Sequence, residues 1–347
     1  MSTKLVSAHA RLAPPELETT QVGRPRFNQT ASPGSLACAV RERLPSIQRV
    51  EAVEELRRMR GGAQSHLMRC SDGGYYIVKF QNNPQGKRIL CNEFLAAQIA
   101  RLMDLPVPHF ALVFVGADLI RHSEDLVMQL QHGRIPCQPG ICFGSRHVGD
   151  VGPSLSPSIR TAWDLIPDHE FRLVQNGETF AGMLVFDQWT CNTDNRQCVF
   201  LRDDENRGIT AFMIDNGFCF GGAKWKFRDA PLHARSVHGL FRRFDAFEPW
   251  LDRVERCVDL TSLAAMASRI PSDWIRGDCG SLDEMISTLD DRRKKVREWA
   301  WMSMRSFRPV VAVNAQFAKA AEISTTRKFA RCEDGSPAER RQVCDLL

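Results

Sequence analysis

The chain has little net charge. Its 46 Lys and Arg against 41 Asp and Glu leave only +5 over 347 residues, and the basic residues are dispersed. That balance provides no continuous positive field for a phosphate backbone, so direct nucleic-acid binding is not expected. The clusters Arg57-Arg58-Met59-Arg60 and Arg292-Arg293-Lys294-Lys295 read as solvated faces. Long hydrophobic runs are also missing. No stretch reaches the roughly 18 apolar residues of a membrane-spanning helix, and the first residues form no apolar signal core. There are 12 cysteines but no close Cys-x-x-Cys pair, which argues against a secreted disulfide framework in a chain this large. No Gly-Lys-Ser/Thr follows any glycine-rich stretch, so a Walker loop is excluded. No internal repeat is visible. Together these absences predict a cytoplasmic protein with no membrane partner, a monomer or at most a weak oligomer.

What remains is a composition that can build a core. Hydrophobic residues make up 43% of the chain, and the length suffices for two lobes. Residues 1–44, with Pro14-Pro15, Pro25 and Ser32-Pro33-Gly34, show little periodicity and read as a flexible N-terminal segment. Residues 45–122 alternate like strands around one helix. Residues 123–319 begin with a stretch rich in Gly, Pro and Ser, read as loop to about residue 160, and become helical beyond 228. Residues 320–347 read as a polar tail. One regular series, His132, Cys137, Cys142 and His147, offers zinc-ligand types at five-residue spacing. Structural zinc sites space their cysteines more tightly, so buried thiols and loop histidines are expected there.

Within residues 45–122 the pattern is specific. Ile47 to Val53 alternates, then Gly61-Gly62-Ala63-Gln64-Ser65 forms a glycine-rich turn. Such a turn is either an ordinary hairpin or a loop whose backbone N–H groups line a phosphate. Ser71-Asp72-Gly73-Gly74 predicts a tight hairpin leading into the strand Tyr75-Tyr76-Ile77-Val78-Lys79-Phe80. Lys79 stands in an apolar strand, where an ammonium either snorkels to solvent or neutralises something buried. A helix follows from Arg88 to Met103, and Glu93 is the only acid in its first two turns, which makes it the natural partner for Lys79. Phe110 to Val115 predicts a further strand.

Two polar stretches carry the most chemical information. Phe180 to Trp189 predicts a buried helix that delivers Asp187 and then Cys191-Asn192-Thr193-Asp194-Asn195-Arg196-Gln197. After a hairpin, an apolar strand ends in Ile214-Asp215-Asn216-Gly217. Each acid could sit in an ordinary Asx turn. Yet one short hairpin separates Asp194 from Asp215, so the two can approach, and paired carboxylates make physical sense with a hard cation between them. An acid in an Asn/Arg loop followed by Asp-Asn-Gly at a strand end is how kinase-like phosphotransferases arrange their chemistry.

In order and spacing, Gly61-Gly62, Tyr76 to Phe80, Asn92-Glu93, Leu105-Pro106-Val107-Pro108, Phe186 to Trp189, Asn192-Thr193-Asp194 and Ile214 to Gly217 resemble the HipA-like kinases, in the branch carrying only the kinase-like fold. The resemblance covers roughly residues 45–310. It implies an α+β, protein-kinase-like two-lobed fold, with a small β-rich N-lobe holding one helix and a larger, mainly helical C-lobe. It also implies ATP- and Mg2+-dependent phosphorylation of a protein Ser/Thr hydroxyl. By resemblance, Gly61 to Ser65 with Lys79 and Glu93 hold the nucleotide, Asp194 is the base and Asp215 holds the metal. Asp187 is an alternative base or an orienter of the loop, and Arg196 belongs to the same catalytic loop.

One position departs from the family pattern. The second metal ligand, an Asn five residues after the catalytic Asp, is here Val199. Asn192, Asn195 or Gln197 could substitute; otherwise the chain is a nucleotide-binding pseudokinase acting as an interaction module. The protein substrate cannot be read from one chain. Two glycine-containing stretches, Cys142 to His147 and Phe218 to Trp225, read as ordered loops, the second lying where an activation segment would follow the metal Asp.

Overall fold

A computed structural model describes residue 44 and residues 46–151, 161–203, 208–228 and 246–306. Apart from Leu44, the N-terminal segment and the polar tail lie outside the described residues. The architecture is mixed α+β: a closed five-stranded barrel, a helix laid against it, a small second sheet and a group of helices.

The barrel begins with β1 (Gln48–Arg58), where Val50 and Ala52 point inward between exposed neighbours, the period-2 signature of a half-buried strand. β2 (His66–Cys70) and β3 (Tyr75–Lys79) form the expected hairpin. At its turn Gly73 adopts φ +74° and the Asp72 carboxylate accepts the Gly74 N–H at 3.0 Å, an Asx turn that fixes the register. Next come α1 (Arg88–Leu102), β4 (Phe110–Val115), a short α2 (Ala117–Arg121) and a hairpin of β5 (Val127–Leu130) and β6 (Gly133–Pro136). β7 (Gly140–Arg146) then pairs antiparallel with both β3 and β4. β1 closes the barrel by running antiparallel to β2 and parallel to β4, from Gln48 opposite Ala111 to Glu51 opposite Phe114. Met68, Tyr76, Val78, Val113 and Cys142 fill the interior, each large side chain contributing about 1.5–3 kcal/mol by burial.

β7 corrects the sequence expectation of a loop. Its glycines and polar residues hide the alternation, but Gly144 is there because the barrel wall is tight: a Cβ at that position would lie 2.4 Å from Val113 Cγ2. In the His/Cys series, Cys137 and Cys142 are buried thiols while His132 is exposed. Among the described residues no group of three or more His, Cys, Asp or Glu is placed to hold a metal ion.

Helix α1 is buried from Ile89 to Ala100, because it is covered by the barrel on one side and by the helices on the other. Phe94 meets Phe110 and Trp274 edge-on, with ring centroids 5.9 Å apart in both pairs. β8 (Thr161–Trp163), β9 (Gln197–Asp203) and β10 (Gly208–Ile214) form the second sheet, with β9 in the middle and Gln197 opposite Ile214. The buried helix α3 (Thr179–Thr190) precedes β9.

The helical part contains α4 (Glu248–Cys257), α5 (Leu260–Ala267), α6 (Cys279–Arg293) and α7 (Val296–Ser306). α5 starts with a capping box between Asp259 and Ser262. α6 and α7 follow one another across a short break. The break follows Arg292, which is not on a solvated face but 2% exposed. Its guanidinium donates to the carbonyls of Trp189 (2.9 Å), Gln188 (3.0 Å) and Arg228 (3.2 Å) and stacks 4.3 Å over Trp299. The last carbonyls of α3 carry the negative end of the helix dipole, and a cation there satisfies them. Among the described residues, no helix is long and apolar enough to cross a membrane.

Candidate active site

Lys79 ends β3 inside the protein, 8% exposed. Its ammonium donates to Glu93 Oε1 on α1 and, at 2.7 Å, to Asp215 Oδ1 just beyond β10. Burial disfavours the ammonium, but the charges of Glu93 and Asp215 outweigh it and hold Lys79 above the usual lysine range. Burial, only partly offset by Lys79, raises Glu93, and the Asp215 charge adds to that. Asp215 feels burial too, yet the Lys79 charge and hydrogen bond keep it below its ordinary value. Two acids from distant parts of the chain thus share one buried cation.

The backbone at Asp215 is turned sharply. Its φ of +57° lies in the left-handed region, which Asp tolerates better than most residues and which aims its carboxylate off the strand axis. The chain then runs directly under α1. Asn216 N–H donates to Glu93 Oε2 at 3.1 Å. A Cβ at Gly217 would lie 2.7 Å from Ile89 Cγ2, so glycine permits this close approach to the helix.

The 191–197 loop is built from the end of α3. Cys191, in the left-handed region at φ +52°, terminates the helix. Asp187, 8% exposed, projects from the last turn to Arg196, which donates through Nε at 3.1 Å and through Nη2 in a bidentate pair. Arg196 Nη1 also donates to Ile214 O and Asn216 Oδ1, both at 2.8 Å. Its guanidinium is buried, but Asp187 outweighs that penalty and holds it above the ordinary arginine range. The loop is therefore pinned both to α3 and to the segment carrying Asp215. Asn192 donates to Asp187 Oδ1 at 3.0 Å and accepts the Asp194 N–H at 3.1 Å. Asp194 is exposed, and its carboxylate accepts the Asn195 N–H at 2.8 Å. Gln197 Nε2 lies 3.3 Å from Asp215 Oδ2, whereas Val199, opposite Phe212 in the ladder, is 9% exposed.

The glycine-rich turn joins β1 to β2. The last rung of the β2–β3 hairpin sets His66 opposite Val78, so Ser65 and Lys79 lie at the same open end. Gly61 has φ +122° and Gln64 φ +49°. The Gln64 amide is tied to the β5–β6 hairpin, donating to Gln129 O and accepting Gln129 N–H, both at 2.7 Å. Gly62 passes close to the Gln85 side chain.

The structure thus brings Lys79, Glu93, Asp215 and Gln197 into direct contact, and it joins Asp187, Asn192, Arg196 and Asp194 into one loop tied to Asp215 through Arg196. Sequence reasoning gave Asn92 and Trp225 no site role. Asn92 is fully buried on α1, and Trp225 Nε1 donates to its Oδ1 at 2.7 Å. A polar residue beside Glu93 in an otherwise apolar helix was the available signal.

Several comparisons bear on this arrangement. Solved structures with 12% identity or less superpose on this chain only modestly. CtkA, a proinflammatory kinase of Helicobacter pylori, has 12% identity, covers 76% of this chain and 100% of its own, and gives a TM-score of 0.45. A Golgi casein kinase gives 11% identity, 81% and 78% coverage and a TM-score of 0.38. The same kinase with Mn/ADP bound gives 11% identity, 79% and 77% coverage and 0.38. Among curated proteins, no relative matches the sequence. A family model described as HipA-like kinase matches residues 52–301, a span running from β1 into α7 that takes in every residue of the Lys79–Asp215 site. The chain belongs to the HipA-like kinase family.

Proposed function

We propose that this kinase-like phosphotransferase uses ATP with Mg2+ and passes a phosphoryl group to a protein Ser/Thr hydroxyl. One observation carries the reading: the buried Lys79 ammonium bridges Glu93 and an acid 136 residues further along the chain than itself, Asp215. An isolated charge cluster of this kind is costly to bury, and a phosphate-binding role accounts for keeping it.

The donor set suits a hard divalent cation. Asp215 supplies carboxylate oxygen, and the Gln197 amide beside it offers a second oxygen after a half-turn about its last bond. Mg2+ characteristically takes one or two such protein ligands and completes its shell with water and phosphate oxygens. When bound, Mg2+ with the nucleotide neutralises the charge that develops on the phosphate oxygens. Lys79 would hold the phosphates, steadied by Glu93, with Gly61, Gly62, Ala63, Gln64 and Ser65 as the covering loop. Asp194, exposed at the loop tip, would take the acceptor's hydroxyl proton. Asp187, Asn192 and Arg196 would orient that loop, since their polar atoms are engaged with one another and with residues 214–216.

A second reading has its own observation. Val199 occupies the expected position of the second metal ligand and is buried in the β9–β10 ladder, which favours a nucleotide-binding module without turnover. Incubation with labelled ATP and Mg2+ and then mass spectrometry separates the two. Phosphate on the protein or on an added acceptor supports the enzyme. Tight nucleotide binding without transfer supports the module, and no binding at all removes both.

A further inference from the structure

The side chain of Asn92 is 0% exposed and lies one residue before Glu93 on α1. Its Nδ2 group is shared among three carbonyls of the segment after Asp215: Gly217 at 2.7 Å, Cys219 at 3.0 Å and Gly222 at 3.3 Å. Its Oδ1 accepts Trp225 Nε1–H at 2.7 Å. One turn earlier, Arg88 stacks 4.2 Å over the Trp225 ring and forms a two-point pair with Asp278 at 2.9 and 2.7 Å. Glu93 adds the bond from Asn216 N–H at 3.1 Å. Adjacent helix residues thus grip the chain at 216, 217, 219, 222 and 225.

This amide is a poor choice for packing alone, because a buried polar group is tolerated only when fully paired. Here it is paired with backbone whose course decides where Asp215 points. Moving α1 away would strip partners from Asn92, Trp225 and Glu93 together, and the carbonyls of 217, 219 and 222 would lose a donor. We infer that Asn92, with Trp225 as its partner, is a positioning residue for the phosphotransfer site: it fixes the Asp215 turn to the helix carrying Glu93. Asn92 thereby holds the helix carrying Glu93, and with it the Lys79–Glu93 pair, against the Asp215 turn. This rests on the kinase reading above.

The test uses the full chain in three forms: wild type, Asn92→Asp and Trp225→Phe. The first substitution keeps size but sets a carboxylate against three carbonyl oxygens. The second removes one N–H and keeps an aromatic ring. Thermal unfolding gives the folded fraction, ATP affinity is measured with and without Mg2+, and single-turnover transfer gives the rate. For Asn92→Asp the expected result is a loss of the Mg2+-dependent gain in ATP affinity and a fall of about a hundredfold in rate per folded molecule, with metal-free ATP affinity within about threefold of wild type. For Trp225→Phe a fall of about three- to tenfold in rate is expected with little change in unfolding temperature. A purely structural role would instead lower the folded fraction and leave both quantities per folded molecule unchanged, which overturns the inference. Should Asn92→Asp not fold, the Trp225→Phe rate decides. A wild type without Mg2+-dependent ATP binding removes the kinase reading itself and this inference with it; normal wild-type binding with unaltered variants removes only the positioning role.

Discussion

Gln197 and Asp215 face each other at the open end of the β9–β10 ladder, with Gln197 Nε2 3.3 Å from Asp215 Oδ2. Under the metal role proposed for Asp215, this contact would stand in for the Asn missing at position 199, because the amide reaches the Asp215 carboxylate from two residues earlier in the strand. Gln197→Ala should raise the Mg2+ concentration needed for half-maximal transfer on the order of tenfold, with little effect on unfolding temperature since the residue is exposed. A Mg2+ titration of phosphate transfer reads this directly. An unchanged midpoint would remove Gln197 from the metal site.

Among the described residues, Lys79 is the cation that forms ion pairs with both Glu93 and Asp215. Lys79→Met leaves those carboxylates facing each other in a buried site, which should cost roughly 3–5 kcal/mol and abolish ATP binding. The contribution of Asp215 to the pH dependence should also change sign. In the wild type, Asp215 has a depressed pKa, so its stabilisation is present above the ordinary Asp value and is lost as pH falls through the lower, folded value. Without the ammonium, both acids hold protons more tightly in the folded state, and stability should fall as pH rises through the acid range. Denaturant unfolding at several pH values checks this. Adding Glu93→Gln should recover part of the stability and none of the binding, since it removes the repulsion without restoring the cation.

The legible part of this site was the part set by local pattern. Lys79 betrayed itself as a charge in an apolar strand, Glu93 as the only acid early in its helix, and Asp215 as an acid closing an apolar run. The β2–β3 hairpin was equally plain from Ser71-Asp72-Gly73-Gly74. What was not legible depends on partners far along the chain. β7 reads as loop because Gly140 and Gly144 interrupt it, yet it lies between β3 and β4, and the tight contact with Val113 explains Gly144. Arg292 reads as one of four surface cations, and only the fold brings it to the end of α3. The Gln64–Gln129 pairing spans 65 residues and has no local signature.

His66 offers a pH test away from the chemistry. It is buried against Phe80, 3.3 Å from Glu55 Oε1 and 4.0 Å from Cys137 Sγ. Burial first, then the Arg58 charge, lowers it from 6.5 to about 4, with Asp125 opposing. The folded state therefore binds fewer protons than the unfolded state between those values. Stability from this residue should be complete above about pH 6.5 and should decline by roughly 3 kcal/mol at most as pH falls toward 4. His66→Gln should flatten that part of the stability profile, measured by denaturant unfolding between pH 7.5 and 4.5, about the window in which the imidazole titrates. An identical decline in the variant would assign it to other groups.

Asp187 and Arg196 separate orientation from proton transfer. The pair is buried at the foot of the loop, and Arg196 continues to Ile214 O and Asn216 Oδ1. Arg196→Ala would leave Asp187 without its cation in a buried position, a loss of roughly 3–5 kcal/mol, and would untie the loop from Asp215. Arg196→Lys keeps the charge but cannot reproduce the fork, so it should fold and yet transfer phosphate more slowly, on the order of a hundredfold. Asp194→Asn should behave differently. Its side chain is exposed, so unfolding temperature and ATP affinity should stay near wild type while the transfer rate falls by roughly a hundred- to ten-thousandfold. If Asp187→Asn rather than Asp194→Asn gave that signature, with stability intact, the base would be Asp187 and the loop would be held by Arg196 alone. The comparison needs unfolding temperature, ATP affinity and single-turnover rate for Arg196→Lys, Asp194→Asn and Asp187→Asn, because of the two acids only the proton acceptor loses rate while keeping the other two.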